Sequence, residues 1–325
     1  MLPGIVWLVL AMRHGRRSTP KETSLVSLTR RSFKQLLVAF TPHYEATITW
    51  RPGGPGCPRK FVHTHQVLGM LLAFYTKSRG MKSLCVIFGI PPATASRTLH
   101  NAERCLLATL KATPLAAFNW PTLEEQVKWA KLVEKKEPLV KGRWGVIERK
   151  TYKVQKPTAV EVQNATNNGW LHATMITGAV CFGATGVVVW GKHNFVGSWN
   201  NGDISRPFQE KIVRSDINVD GHGVLSDSTF AVSGDCLRRI MTPLKKNEEL
   251  TILDPVAVKT SAAIASMRQH AEWGMGAVEK IYRRLLLPLP FDQEVRGRRL
   301  AIIFKLYNYR VRTTGFSIKN IFESE

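Results

Sequence analysis

Ile264, Met267, Ala271, Met275, Val278, Ile281 and Leu285 recur at three- and four-residue steps. Only a helix places all seven on one side, so the segment is predicted to be amphipathic with this stripe buried. Glu272 stands beside the stripe. A carboxylate there either pairs with Arg268, one turn earlier on the same face, or is kept for chemistry, and spacing leaves both readings open. Upstream the periodicity is different. Trp144–Ile147, Trp170–Phe182, Val187–Trp190 and Gly223–Ser226 are short β-branched or aromatic runs broken by Gly and Asn, which predicts strands. Helical spacing returns after about Ala262. Strands followed by helices predict a mixed α/β domain.

The first third reads as helical. Arg51-Pro52-Gly53-Gly54-Pro55-Gly56-Cys57-Pro58-Arg59-Lys60 continues neither a helix nor a central strand, so it is a linker or loop. Beyond it, Val67, Met70, Leu71, Phe74 and Tyr75 mark one helix ending at Arg79-Gly80. Leu84, Cys85, Ile87 and Phe88 mark a short second one stopped by Gly89. A third follows Pro91-Pro92, from about Ala93 past Leu110, with Ala95, Leu99, Ala102, Leu106 and Leu110 on its buried side. Two helices around a Gly-Ile-Pro turn form a candidate helix-turn-helix, in which Thr94, Ser96, Arg97 and His100 occupy the first turns of the recognition helix. A packing bundle that touches no DNA fits the same pattern. A Lys/Glu-rich helix, Leu123 to Lys136, connects to the strand-rich region.

Lys and Arg number 46 against 24 Asp and Glu, a net charge of +22 over 325 residues. A charge of that size serves an acidic polymer, and nucleic acid is the natural partner. Thirteen of the 22 net charges lie in residues 1–113. Five cysteines, at 57, 85, 105, 181 and 236, form no CxxC pair and no Cys/His metal spacing, so a reduced intracellular protein without structural zinc is expected. The apolar opening, Ile5 to Met12, is shorter than the roughly 20 residues that span a bilayer, and no membrane association is expected. Arg13, Arg16, Arg17, Arg30 and Arg31 offer either a nuclear-import or phosphate-binding patch or a solvated charge run.

Several short motifs stand in a fixed order. They are Trp144-Gly145-Val146-Ile147-Glu148, Asn168-Gly169-Trp170-Leu171-His172, Lys192-His193-Asn194 with Gly197-Ser198-Trp199, and His222-Gly223-Val224-Leu225-Ser226-Asp227-Ser228. The Arg268 to Trp273 segment and Leu306-Tyr307-Asn308-Tyr309-Arg310 complete the series. The order resembles Harbinger-type DDE transposases and the nucleases derived from them, over roughly residues 60 to 315. The resemblance implies an RNase H-like mixed sheet flanked by helices, preceded by the small all-α unit. The expected division is a basic segment and linker at 1–60, the helical unit at 61–140, the nuclease domain at 141–315 and a tail at 316–325.

The resemblance also implies chemistry. Such enzymes cleave or transfer DNA phosphodiester bonds with three carboxylates holding two Mg2+ or Mn2+ ions. By motif position the carboxylates are Glu148, Asp227 and Glu272, separated by 79 and 45 residues. Arg283, Arg284, Arg296, Arg298 and Arg299 flank the Glu272 helix as candidate guides for a DNA backbone. A nuclear location and a separate Myb-like DNA-recognition partner are further implications. The chain departs from the family where it has Glu148-Arg149 in place of Asp-Gly. The extra methylene moves the carboxylate by more than the roughly 0.5 Å that a catalytic constellation tolerates, and Arg149 offers Glu148 a competing cation. Asn201 stands where the family commonly has Asp, with Asp203 nearby. Two functions are therefore open: a metal-dependent nuclease, and a catalytically impaired, domesticated or decaying remnant that binds DNA.

Overall fold

A computed structural model describes residues 26–48, 60–78, 80–156, 167–168, 173–196, 201–228, 230, 234–244 and 254–314. The apolar opening, Arg13, Arg16 and Arg17, most of the Pro/Gly tract, Trp170-Leu171-His172 and Gly197-Ser198-Trp199 lie outside the described residues. The chain divides into two compact units. One takes residues up to Ala117 with Val278–Leu287 and Gly297–Gly315. The other takes Phe118–Ala277 with Pro288–Arg296.

In the first unit, helices α1 (Arg30–Glu45), α2 (Thr64–Thr76), α3 (Met81–Phe88) and α4 (Pro92–Ala112) pack around an aliphatic core that includes Leu36, Leu68, Met70, Leu71, Leu99, Leu106 and Leu110. Thr29 caps α1 by accepting from the Ser32 amide at 3.2 Å, which satisfies one of the donors a helix start leaves over. Gly89 ends α3 in the left-handed region at φ +64°, a conformation that costs glycine little. The residues expected on the inner face of α4 are all buried. Glu103, also on α4, is 1% exposed, and its charge is held by Tyr75 Oη at 3.1 Å and Arg299 Nε at 2.8 Å. The Leu306–Arg310 motif belongs to this core. Tyr309 donates to the Ser32 carbonyl at 2.8 Å, and Asn308 donates to the Ala117 carbonyl at 3.0 Å.

The second unit is built on a sheet of strands β1 (Arg143–Lys153), β2 (Asn167–Asn168), β3 (Ala173–Gly183), β4 (Val188–Val196), β5 (Gly223–Leu225) and β6 (Ile240–Met241). Its order is β4-β3-β1-β5-β6, with β2 paired to the start of β3. β1, β3 and β4 form an antiparallel meander, and β5 and β6 run parallel to β1. Helix α5 (Leu123–Lys136) packs on β1 and sets Trp129 against Gly183. Helix α6 (Asn201–Ile212) and most of α7 (Pro255–Ile281) belong to this unit, whereas most of α8 (Gln293–Thr314) belongs to the first. A mixed sheet in this order, flanked by helices, is an RNase H-like fold, as expected. No described helix is long and apolar enough to cross a membrane.

Several boundaries differ from expectation, among them β4, which runs to Val196, and two on the elements that carry the expected carboxylates. β1 continues past Ile147 to Lys153, because its ladder with β3 runs on to the Lys153–Met175 pair despite the charges that break the apolar pattern. α7 begins at Pro255, ahead of Ala262. Its first turn is anchored by Asp254, whose Oδ1 accepts from the Val256 and Ala257 amides at 2.8 and 3.2 Å, and such a cap extends a helix beyond its apolar stripe.

Candidate active site

Two of the expected carboxylates come from neighbouring strands. Val146 on β1 stands opposite Leu225 on β5 in parallel register; Glu148 lies two residues on along β1, and Asp227 two residues past the end of β5. The charge of Asp227 acts on Glu148, so the two lie near one another. The chain leaving β5 is pinned on both sides: the Ser226 amide donates to the Met241 carbonyl at 2.9 Å and Ser226 Oγ to the Ile147 carbonyl at 3.4 Å.

The third comes from α7. Val146 pairs with Phe182 across β1 and β3, so Phe182 shares the face of Glu148. Gly274 lies over it so closely that a Cβ there would stand 3.2 Å from the ring. That approach lowers α7 onto the sheet and brings Arg268 and Glu272 to the carboxylates. Arg268 Nη2 lies 3.5 Å from Glu148 Oε2 and 3.9 Å from Glu272 Oε1. Glu272 thus pairs one turn back with Arg268, the first of its two expected readings. Only 16% of the Glu148 side chain is exposed, against 61% for Glu272.

Burial pushes the Glu148 carboxyl above the usual range. Arg268 draws it down, and the charges of Asp227 and Glu272 push it up again. Glu148 thus lies within electrostatic reach of both partners. Residues 148–308 match the family described as DDE superfamily endonuclease. The match opens on Glu148 and spans Asp227 and Glu272. Neither the curated proteins nor the solved structures give a match.

The segment that matches this family model departs from a metal site in one respect. Among the described residues, no three His, Cys, Asp or Glu side chains are grouped to hold a metal ion, and the cation between Glu148 and Glu272 is Arg268. As arranged, these residues do not fit a divalent ion. The expected competitor for Glu148 is corrected in identity. Arg149 follows it on β1 and so projects from the opposite face, whereas Arg268 arrives from α7. The sequence signal for Arg268 was its place one turn before Glu272, which does not reveal the second carboxylate. Asp203, the residue beside Asn201, is engaged on α6 by Arg206 at 2.7 Å.

Two histidines of the sequence motifs, His193 and His222, lie among the described residues. His193 on β4 is half-buried with its ring nitrogens shielded from solvent and stands edge-on to Tyr152, with ring centroids 6.0 Å apart; desolvation lowers its pKa to about 3, so it is neutral at physiological pH. Asn194 beside it adopts φ +77° at a bulge in the β3–β4 ladder. Its side chain donates to the Gln293 carbonyl at 2.9 Å and accepts from Arg296. His222 shares a hydrogen bond of 3.0 Å with the Asp220 carbonyl.

The expected DNA-facing residues divide. On α4, Ser96, Arg97 and His100 are exposed and Thr94 is half-buried. Of the five arginines around α7, Arg283 is exposed and the others are engaged internally. Arg284 and Arg299 stack over Phe74, 4.3 and 5.0 Å from its centroid. Arg298 and Arg299 reach buried Glu103 at 3.9 and 2.8 Å. Arg296 bonds Asn194 and the Phe291 carbonyl. Burial removes Arg296 and Arg298 from the reach of a DNA backbone, which corrects the expectation that all five act as guides.

Proposed function

We infer that this chain is a transposase-derived nuclease of the Harbinger type, acting on DNA phosphodiester bonds in the nucleus. Glu148, Asp227 and Glu272 would be its catalytic, metal-binding carboxylates and Mg2+ or Mn2+ its cofactor, since hard oxygen ligands select these ions. The observation that carries this reading is the arrival of three carboxylates, from β1, the end of β5 and α7, within electrostatic reach of one another. The net charge of +22 supports DNA as substrate. The exposed start of α4 supports a separate DNA-contacting surface at Ser96, Arg97 and His100, with Arg283 as a further phosphate contact. A Myb-like recognition partner belongs to the same reading.

Arg268 supports a second reading. With Glu148 and Glu272 both paired to one guanidinium, the chain acts as a DNA-binding protein without cleavage. Incubating the purified full chain with labelled duplex DNA and Mn2+ separates the two. The nuclease reading expects strand cleavage that is lost in both Asp227→Ala and Glu272→Ala while salt-sensitive DNA binding is retained. Cleavage surviving in both variants overturns the site. DNA binding without cleavage in the wild type favours the second reading.

A further inference from the structure

We propose that Arg268 is an internal cation that stands in for the metal between the first and third carboxylates, and that this chain binds a divalent ion only when the guanidinium swings out. The proposal rests on the reading of Glu148, Asp227 and Glu272 as a DDE site. One nitrogen, Nη2, faces both Glu148 and Glu272, so positive charge occupies the position that an ion bridging those carboxylates would need. A guanidinium and a divalent ion exclude one another there by both volume and charge.

The pairing is loose enough to be broken. A strong Arg–carboxylate contact is a two-pronged fork at about 2.8 Å, whereas here a single nitrogen serves two carboxylates at 3.5 and 3.9 Å. Arg268 Nε is buried with no hydrogen-bond partner among the described residues. Burying such a group without a partner is costly, so the closed arrangement leaves free energy to be recovered by a better ligand. Arg268 sits on the same helix as Glu272, one turn away. Its side chain, already 20% exposed, can rotate toward solvent about its own bonds while α7 and both strands stay in place. The substitution of Glu for Asp at position 148 has a role here, because the longer side chain reaches toward the guanidinium.

The test is calorimetric titration of Mn2+ into the full chain as wild type, Arg268→Gln, Arg268→Ala and Arg268→Gln/Asp227→Ala, with thermal unfolding of each in the presence and absence of Mn2+. Gln keeps much of the aliphatic packing should Ala fail to fold. Mn2+ is expected to bind Arg268→Gln at least tenfold more tightly than the wild type, to raise its melting temperature further, and to lose this binding in the double variant. Equal or weaker Mn2+ affinity in Arg268→Gln, with binding still dependent on Asp227, overturns the displacement and leaves the metal site standing. No Mn2+ binding in any protein overturns both the displacement and the metal-dependent reading.

Discussion

Glu148 and Arg268 are each a half-solution to the other's burial. Removing the guanidinium leaves a carboxylate with 16% of its side chain exposed facing two further negative charges. A fully buried pair costs about 3–5 kcal/mol when one partner is removed. Partial exposure reduces that, so Arg268→Ala is expected to lose about 2 kcal/mol of stability in denaturant unfolding at neutral pH. Protonation offers the same carboxylate another escape. Because its folded pKa is raised, the folded state holds the proton more tightly than the unfolded chain, and the associated stability is complete below the ordinary glutamate value of 4.5. It is lost as pH rises through the elevated folded value. The melting temperature of the wild type relative to Glu148→Gln should therefore fall as pH rises from about 4 to 7. A flat difference across that range would show that Glu148 is not desolvated.

At the scale of elements, two contacts fix what the site and the helical core rest on. Gly274 lets α7 settle on Phe182. A valine there has to push the helix or the ring aside, at a cost of about 1–3 kcal/mol. Alanine is expected to be near neutral, since its gain in helix propensity of roughly 1 kcal/mol offsets the tight Cβ contact. In the helical unit, Glu103→Ala strips the counter-charge from Arg298 and Arg299, and a loss of about 3–4 kcal/mol is expected in calorimetric unfolding. These contacts also mark the limit of what the sequence discloses. The buried Ile264, Met267, Met275 and Val278 of α7, the Gly89 stop, the inner face of α4 and the α5 boundaries all follow from local spacing, whereas the helix ends at Ile281, short of Leu285. The RNase H-like order and the three carboxylates follow from motifs. Arg268 reaching Glu148 does not, because the two are 120 residues apart and meet only once α7 lies on β1. The arginines after α7 mislead in the opposite direction. A basic cluster in a basic chain reads as a DNA surface, and nothing local shows that Glu103 and Phe74 are waiting for Arg298, Arg299 and Arg284.

For the molecule as a whole, charge is the dominant solution property. If the +22 serves DNA, association will be driven by counterion release, and affinity should fall by roughly 10³-fold or more between 50 and 200 mM salt. Fluorescence anisotropy with a labelled duplex measures this directly. Replacing Arg97 at the exposed start of α4 should lower the slope of log affinity against log salt by about one unit, as expected for one lost phosphate contact. An affinity indifferent to salt removes nucleic acid from the reading of the charge. The parallel pairing of β1 with β5 carries a last consequence for insertions and deletions. β5 is three residues long, and its alignment with β1 helps to set where Asp227 stands relative to Glu148. Adding or removing two residues upstream of Gly223, if taken up as a slip in pairing, would carry Asp227 about 7 Å along the sheet at roughly 3.3 Å per residue. The length of the turn before β5 is therefore as much a part of the site as the side chains themselves, and a change there would disarm it with every carboxylate still present.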